Sequence, residues 1–131
     1  MLILRRDHSP GIPWPGYLDF PGGWREGFES PQACAARETL EEVGLHISAD
    51  DMQLVHLHWR GSLCDWFFVT KLASGAARDI AFGGEGAGWC LMSPEQAASH
   101  PEMVPHFARI LRAYLRWSAH EKTGNPQAPG K

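Results

Sequence analysis

The stretch Gly23–Leu45, GWREGFESPQACAARETLEEVGL, decides how the chain is read. Ser30-Pro31 opens a helix: the serine hydroxyl can accept from an otherwise unpaired amide, and the N–H that proline lacks is not needed in the first turn. Gly44 closes the helix, because a left-handed terminator is easiest for a residue without Cβ. The helix is therefore expected over about Pro31–Val43. At about 100° per residue, Glu41, Glu38 and Glu42 fall at about 40°, 100° and 140° from Arg37, so three carboxylates share one face. Ala33, Ala36, Leu40 and Val43 form an apolar stripe opposite, expected to pack on a sheet.

Like charges at i,i+3 and i,i+4 cost an exposed helix a few tenths of a kcal/mol per pair. A cation among them turns that repulsion into ligation, and all-oxygen ligands favour hard ions, Mg²⁺ or Mn²⁺. Taken by itself, RETLEE could equally be a solvated face. The neighbouring residues favour the cation. Gly22 and Gly23 let the backbone come close to a metal or a phosphate. Glu29 precedes the helix, and Arg37 can hold a carboxylate bidentately.

Outward from this segment, Met1–Arg6 reads as a strand and His8–Gly16, rich in Pro and Gly, as a loop. Tyr17–Phe20 is a short strand ended by Pro21. Met52–Arg60 and Leu63–Leu72 read as a hairpin turning at Gly61-Ser62. Ile80–Gly88 is a glycine-rich loop, and Trp89–Met92 another strand. Ser93-Pro94-Glu95 starts a short helix, and Glu102–Ala119 carries apolar residues at helical spacing. Strands outnumber helices without alternating with them, which gives an α+β class. Residues 1–119 form one domain and 120–131 a polar tail.

Gly23, Glu29, Arg37, Glu38, Glu41, Glu42, Gly44 and Leu45 stand at the spacing of the Nudix signature, and in these positions the chain resembles the Nudix hydrolases. Thr39 departs at the first bulky apolar position, a change that bears on packing. The resemblance extends from Met1 to about Trp117 through LILRR, DFPGG and the later tryptophan strand followed by SPEQ, and is greatest to short members that hydrolyse nucleoside triphosphates. It implies an α/β/α sandwich with a mixed curved sheet and hydrolysis of a nucleoside diphosphate linked to another moiety. It also implies that Glu38, Glu41 and Glu42 are metal ligands or base machinery, that the Gly22 carbonyl is a further ligand, and that Glu29 and Arg37 are structural partners. Relatives carry one more carboxylate from a loop outside the signature. Among Asp50, Asp51, Asp65, Asp79, Glu85 and Glu95, the choice falls on Glu85, set among glycines before the Trp89 strand, as metal ligand or base.

The remaining signals are weaker. Arg5 and Arg6 end the first strand near the expected phosphate position; a phosphate contact, with Gly23, and a solvated strand end are both open. His56 and His58 share one strand face, which is read as plain sheet surface. Trp14, Trp59, Trp66 and Trp89 are candidates for stacking on a base, with core as the bland reading of each. Cys34 is read as a small helix-packing residue. Relatives have a strand before the LILRR-like one. Its absence predicts an open edge beside Met1–Arg6, covered by a second subunit in a homodimer or by a local segment such as 8–16.

With 131 residues, 44% hydrophobic and 21% charged, the chain has ordinary globular composition. No apolar run approaches the roughly 20 residues of a membrane span. A net charge of −3 gives no general basic surface for nucleic acid. Cys34, Cys64 and Cys90 form neither CxxC nor a paired pattern, so a reducing cytoplasm is expected. The predicted activity is a metal-dependent cleavage of a nucleoside triphosphate, oxidised or otherwise non-standard, to monophosphate and pyrophosphate. Hydrolysis of NDP-sugars or ADP-ribose, removal of pyrophosphate from RNA ends, and a non-catalytic nucleotide-sensing domain are the alternatives.

Overall fold

In the computed structural model, which describes residues 1–122, β1 (Leu2–Arg5) divides the core. Successive strand side chains point to opposite faces. Ile3 joins Leu18, Ala97, Ala98, Met103, Ala108 and Leu111 on one side, while Leu4 joins Val43 and Leu45 on the other. Helices α2 (Pro94–Ser99) and α3 (Pro105–Lys122) cover the first face, and the end of α1 (Pro31–Val43) covers the second. This is the α/β/α layering within an α+β chain. Capping follows the residues that predicted it: Ser30 accepts from the Ala33 amide at 3.0 Å, and Gly44 adopts φ 71°. Ser93 and Gln96 bond reciprocally at the start of α2.

The open edge expected beside Met1–Arg6 is closed within the chain. β1 lies between β2 (Leu18–Asp19) and β5 (Gly88–Leu91), antiparallel to both. The argument for a dimer drawn from that edge therefore has no basis. The remaining strands, β3 (Gln53–Arg60) and β4 (Leu63–Val69), form a separate antiparallel hairpin, so the sheet is divided. Its mixed character among the described residues rests on one parallel bridge, Leu18 to Met103.

Two boundaries and one buried face also differ. Residues 102–104 do not join α3: the Leu18 amide donates to the Glu102 carbonyl and the Val104 amide to the Leu18 carbonyl, and Pro105 disfavours helix in the residue before it. α3 continues to Lys122, so residues 120–122 of the expected tail are helical; residues 123–131 lie outside the described chain. The apolar stripe of α1 is buried only at Val43; Ala33 and Leu40 are exposed.

Candidate active site

Arg37 organises the loop before α1. Its Nε and Nη2 donate to the two Glu29 carboxylate oxygens at 2.7 and 3.1 Å. Nη2 also reaches the Trp24 carbonyl at 3.0 Å, and Nη1 donates to Glu38 at 2.9 Å and to Glu41 at 3.2 Å. Glu29 in turn accepts from the Glu26 amide at 2.8 Å. These bonds hold the Arg37 guanidinium charged and draw the Glu29 carboxyl below the usual carboxylate range. One planar five-donor group thus ties the Gly23–Glu29 loop to the acidic face.

Glu42 lies at the centre of the acidic group. Its Oε1 accepts from the Gly22 amide at 2.8 Å. Burial, together with the negative charges of Glu38, Asp19 and Glu85, outweighs that bond and pushes the Glu42 carboxyl up to about 7. Gly23 packs against the Glu38 carboxylate so closely that a Cβ would overlap it. Gly23 thus meets the acids at close range, whereas Gly22 has open space at its Cβ position and is set apart by its φ of 156°.

The Ile80–Gly88 loop is fastened at both ends. Ala81 and Gly83 amides donate to the Val43 and Glu42 carbonyls, each at 2.8 Å, and the Ala87 amide donates to the Arg5 carbonyl at 3.0 Å. Gly83 abuts the Glu41 carbonyl where no side chain would fit, and Gly84 and Gly86 take φ of 94° and 87°. Glu85, exposed between them, is thereby brought within electrostatic reach of Glu42 from a separate loop.

Asp19 was not among the candidates drawn from the sequence. It stands two residues before Pro21-Gly22-Gly23, buried enough that its carboxyl is raised despite a 2.9 Å bond from Arg6. Its one sequence signal is the DFPGG run, which keeps this acid within three residues of Gly22. Trp24 was missed as well: it is 70% exposed, and the Arg60 guanidinium lies 5.6 Å from its ring centroid.

Arg5 and Arg6 are both engaged within the chain. Arg5 Nη1 donates to the Gly16 carbonyl at 2.7 Å and pairs with Glu102 at 2.6 Å. Arg6 donates to the Pro13 carbonyl and to Asp19, each at 2.9 Å. Cys34 is buried, with its thiol 3.6 Å from the Gly23 carbonyl, in the packing role expected of it. Trp14, Trp59, Trp66 and Trp89 are exposed by 42, 65, 43 and 38%, so none of the four is a core residue.

Among the described residues, no three His, Cys, Asp or Glu side chains stand at metal-binding spacing; Arg37 engages Glu38 and Glu41, and the Gly22 amide engages Glu42. The donor set nevertheless fits a hard cation. It consists of carboxylate oxygens, and the negative charge of Glu38, Asp19 and Glu85 around Glu42 is what a divalent ion would relieve.

An acidic helix face with Gly23 packed against it and the Arg37–Glu29 pair tying the preceding loop to it are the parts of the Nudix motif. The chain belongs to that family: a profile of the NUDIX domain matches residues 1–114. By family it is a Nudix hydrolase, a nucleotide pyrophosphohydrolase class. Among solved structures, it is similar to a MutT protein from Methanosarcina mazei Go1, with a TM-score of 0.74, 20% identity and coverage of 89% of this chain and 83% of that one. It is also similar to a MutT from a structural study of the Aliivibrio salmonicida and Vibrio cholerae proteins, with a TM-score of 0.65, 22% identity and coverage of 87% and 86%. No curated protein matches. Among the described residues no helix is long and apolar enough to cross a membrane.

Proposed function

We propose that the protein hydrolyses free nucleoside triphosphates, oxidised or otherwise non-standard ones among them, to the monophosphate and pyrophosphate. The observation that carries this reading is the convergence of Glu38, Asp19 and Glu85 on Glu42, beside the Gly22-Gly23 backbone, where Gly23 abuts the Glu38 carboxylate. Family members generally use divalent metals; Glu38, Glu41, Glu42, Glu85 and the Gly22 carbonyl would hold Mg²⁺ or Mn²⁺ here. When bound, the ion supplies charge neutralisation for the phosphate oxygens. Water adds to a phosphorus, the P–O anhydride bond breaks, pyrophosphate leaves, and a proton is released.

The chain's own residues supply the rest. Gly22 and Gly23 leave room for the phosphate chain at the backbone. Arg37 and Glu29 hold the loop rigid while the helix acids stay aligned. Glu85 approaches from its own loop and so can accept the water proton from a side that the helix acids do not occupy. Arg5 or Arg6 would contact phosphate only by giving up a bond made within the chain. The three free cysteines suit a reducing cytoplasm.

The test is a nucleotide panel with Mg²⁺, scoring monophosphate and pyrophosphate. Activity on at least one nucleoside triphosphate, abolished by a chelator, is expected. Turnover of NDP-sugars, ADP-ribose or RNA 5′ ends instead would reassign the substrate, and no turnover would favour a sensor. Glu85→Gln should lower kcat by about 10²-fold with KM little changed; wild-type kcat in that variant would return the base to the helix acids.

A further inference from the structure

The β3–β4 hairpin is inserted with its faces reversed. Cross-strand register pairs Leu54 with Phe68, Leu57 with Trp66 and Trp59 with Cys64, so these six side chains share one face without a single charge. His56, His58 and Asp65 lie on the other face. A sheet with one covered face normally turns its apolar side to the core. Here the histidine face is the one packed on α3: the His58 ring stacks on His106 at 5.5 Å, and Phe67 meets Phe107 edge-on at 5.5 Å. The apolar face points away. Leu54, Leu57, Trp59 and Trp66 are 43, 40, 65 and 43% exposed, and none of the six belongs to either core cluster.

The uncovered side chains amount to roughly 400–500 Å² of contiguous apolar surface, the size at which such patches are functional in monomeric proteins. It falls slightly below the apolar share of one partner's contribution to a standard homodimer, about 65% of about 800 Å², or about 520 Å².

We propose that this face is covered by a second copy of the same chain, apolar face on apolar face, as two sheets stacked about 10 Å apart. Charge supports a second copy. The protein carries net charge −3, yet the face carries none, so two copies meet there without like charges opposed. Residues 123–131, TGNPQAPGK, have no large apolar side chain with which to fill it. The inference is independent of the substrate proposed above. Its consequence for the site is mechanical: Arg60, which ends β3 and is held by Asp65 at 2.7 and 2.8 Å, lies over Trp24 of the acidic-site loop, so fixing the hairpin fixes that contact.

Sedimentation equilibrium of the full chain near 10 µM should give twice the 14.6 kDa protomer mass. Trp59→Glu and Leu57→Glu should each raise the dimer dissociation constant by about 10²-fold or more. Leu72→Glu, at an exposed leucine outside the hairpin, should leave it unchanged. Cys64 gives a readout on the unaltered protein. Its alkylation rate, mapped by peptide mass, should fall as protein concentration rises. A wild-type monomer at 100 µM overturns the proposal, whatever else is found to bind the face. So does a dimer that both hairpin variants leave intact, or a Cys64 rate independent of concentration.

Discussion

The Gly22–Leu45 segment and the Gln53–Val69 hairpin are held by opposite chemistry. The first is fixed by directional polar bonds: Arg37 to Glu29, Glu38, Glu41 and the Trp24 carbonyl, Ser30 on the Ala33 amide, Gly22 on Glu42. Its apolar anchoring is confined to Cys34, Val43 and Leu45. The directional side-chain bonds of the hairpin are the two from Arg60 to Asp65 and a long one from the Cys64 thiol to the Asp65 carbonyl; ring contacts with α3 and Phe20 hold it to the rest of the fold. Directional bonds specify a geometry to fractions of an ångström, as a site for charged groups requires. Ring packing specifies only that a surface be covered.

If the polar segment is the chemical half, the largest single effect should come from it. Glu42→Gln keeps the shape and the hydrogen-bond acceptor for the Gly22 amide but removes a charge from the group around it. It should cut kcat by at least about 10²-fold while leaving the thermal midpoint unchanged or raised, because like-charge repulsion is relieved. Steady-state kinetics beside a melting curve checks both halves. Near-normal turnover would remove the acidic face from the mechanism.

The next effect separates the two ends of α1. Val43 is fully buried against Leu4 and Leu45, so Val43→Ala should cost about 2 kcal/mol by the usual cavity cost. Leu40 belongs to the same predicted stripe but is 40% exposed, and Leu40→Ala should cost no more than about 0.5 kcal/mol. Urea unfolding of both variants decides it. Equal losses would mean that the stripe is buried along its whole length.

A smaller effect is expected from Arg37→Lys. A lysine keeps the charge but cannot serve Glu29, Glu38 and the Trp24 carbonyl at once. About a tenfold loss in kcat with a melting point lower by a few degrees is the expected outcome, and a variant with both values unchanged would show that charge alone suffices.

This contrast also governs what the sequence could convey. The acidic site was legible because helix periodicity and caps are local: Ser30, Pro31 and Gly44 set the ends of α1, and the spacing of Glu38, Glu41 and Glu42 sets their face. Glu85 was legible from its glycines, which the loop uses in left-handed conformations. The hairpin turn was legible too, since Gly61 makes it with φ 62°; the register shift between Leu54 and His56 was not. Which hairpin face would lie inward was not, because that depends on α3, some fifty residues later, where His106 and Phe107 meet His58 and Phe67. The bland reading of Trp59 and Trp66 placed each in the core, and His56 and His58 were read as plain sheet surface. Asp19 and Trp24 were missed for the same reason: their proximity to Glu42 and Arg60 is created by chain packing, not by spacing along an element.

The smallest effect tests the polar face of the hairpin. His106 sits between α3 and β3, where burial, aided by the positive fields of His58, Arg109 and Arg60, holds its imidazole below the ordinary histidine range; Asp65 pulls weakly the other way. A depressed folded value means that the unfolded chain takes up the proton first as pH falls. The contribution to stability is therefore complete above the unfolded value of about 6.5 and is lost as pH drops through the lower folded value. For one group the slope cannot exceed about 1.4 kcal/mol per pH unit. Melting points of the wild type between pH 7.5 and 5 should decline accordingly. His106→Phe, which keeps the ring against His58 and Phe107 but does not titrate, should flatten that decline and leave the value at pH 7.5 within about two degrees of wild type. An identical decline in the variant would assign the acid sensitivity to groups away from the α3–hairpin contact.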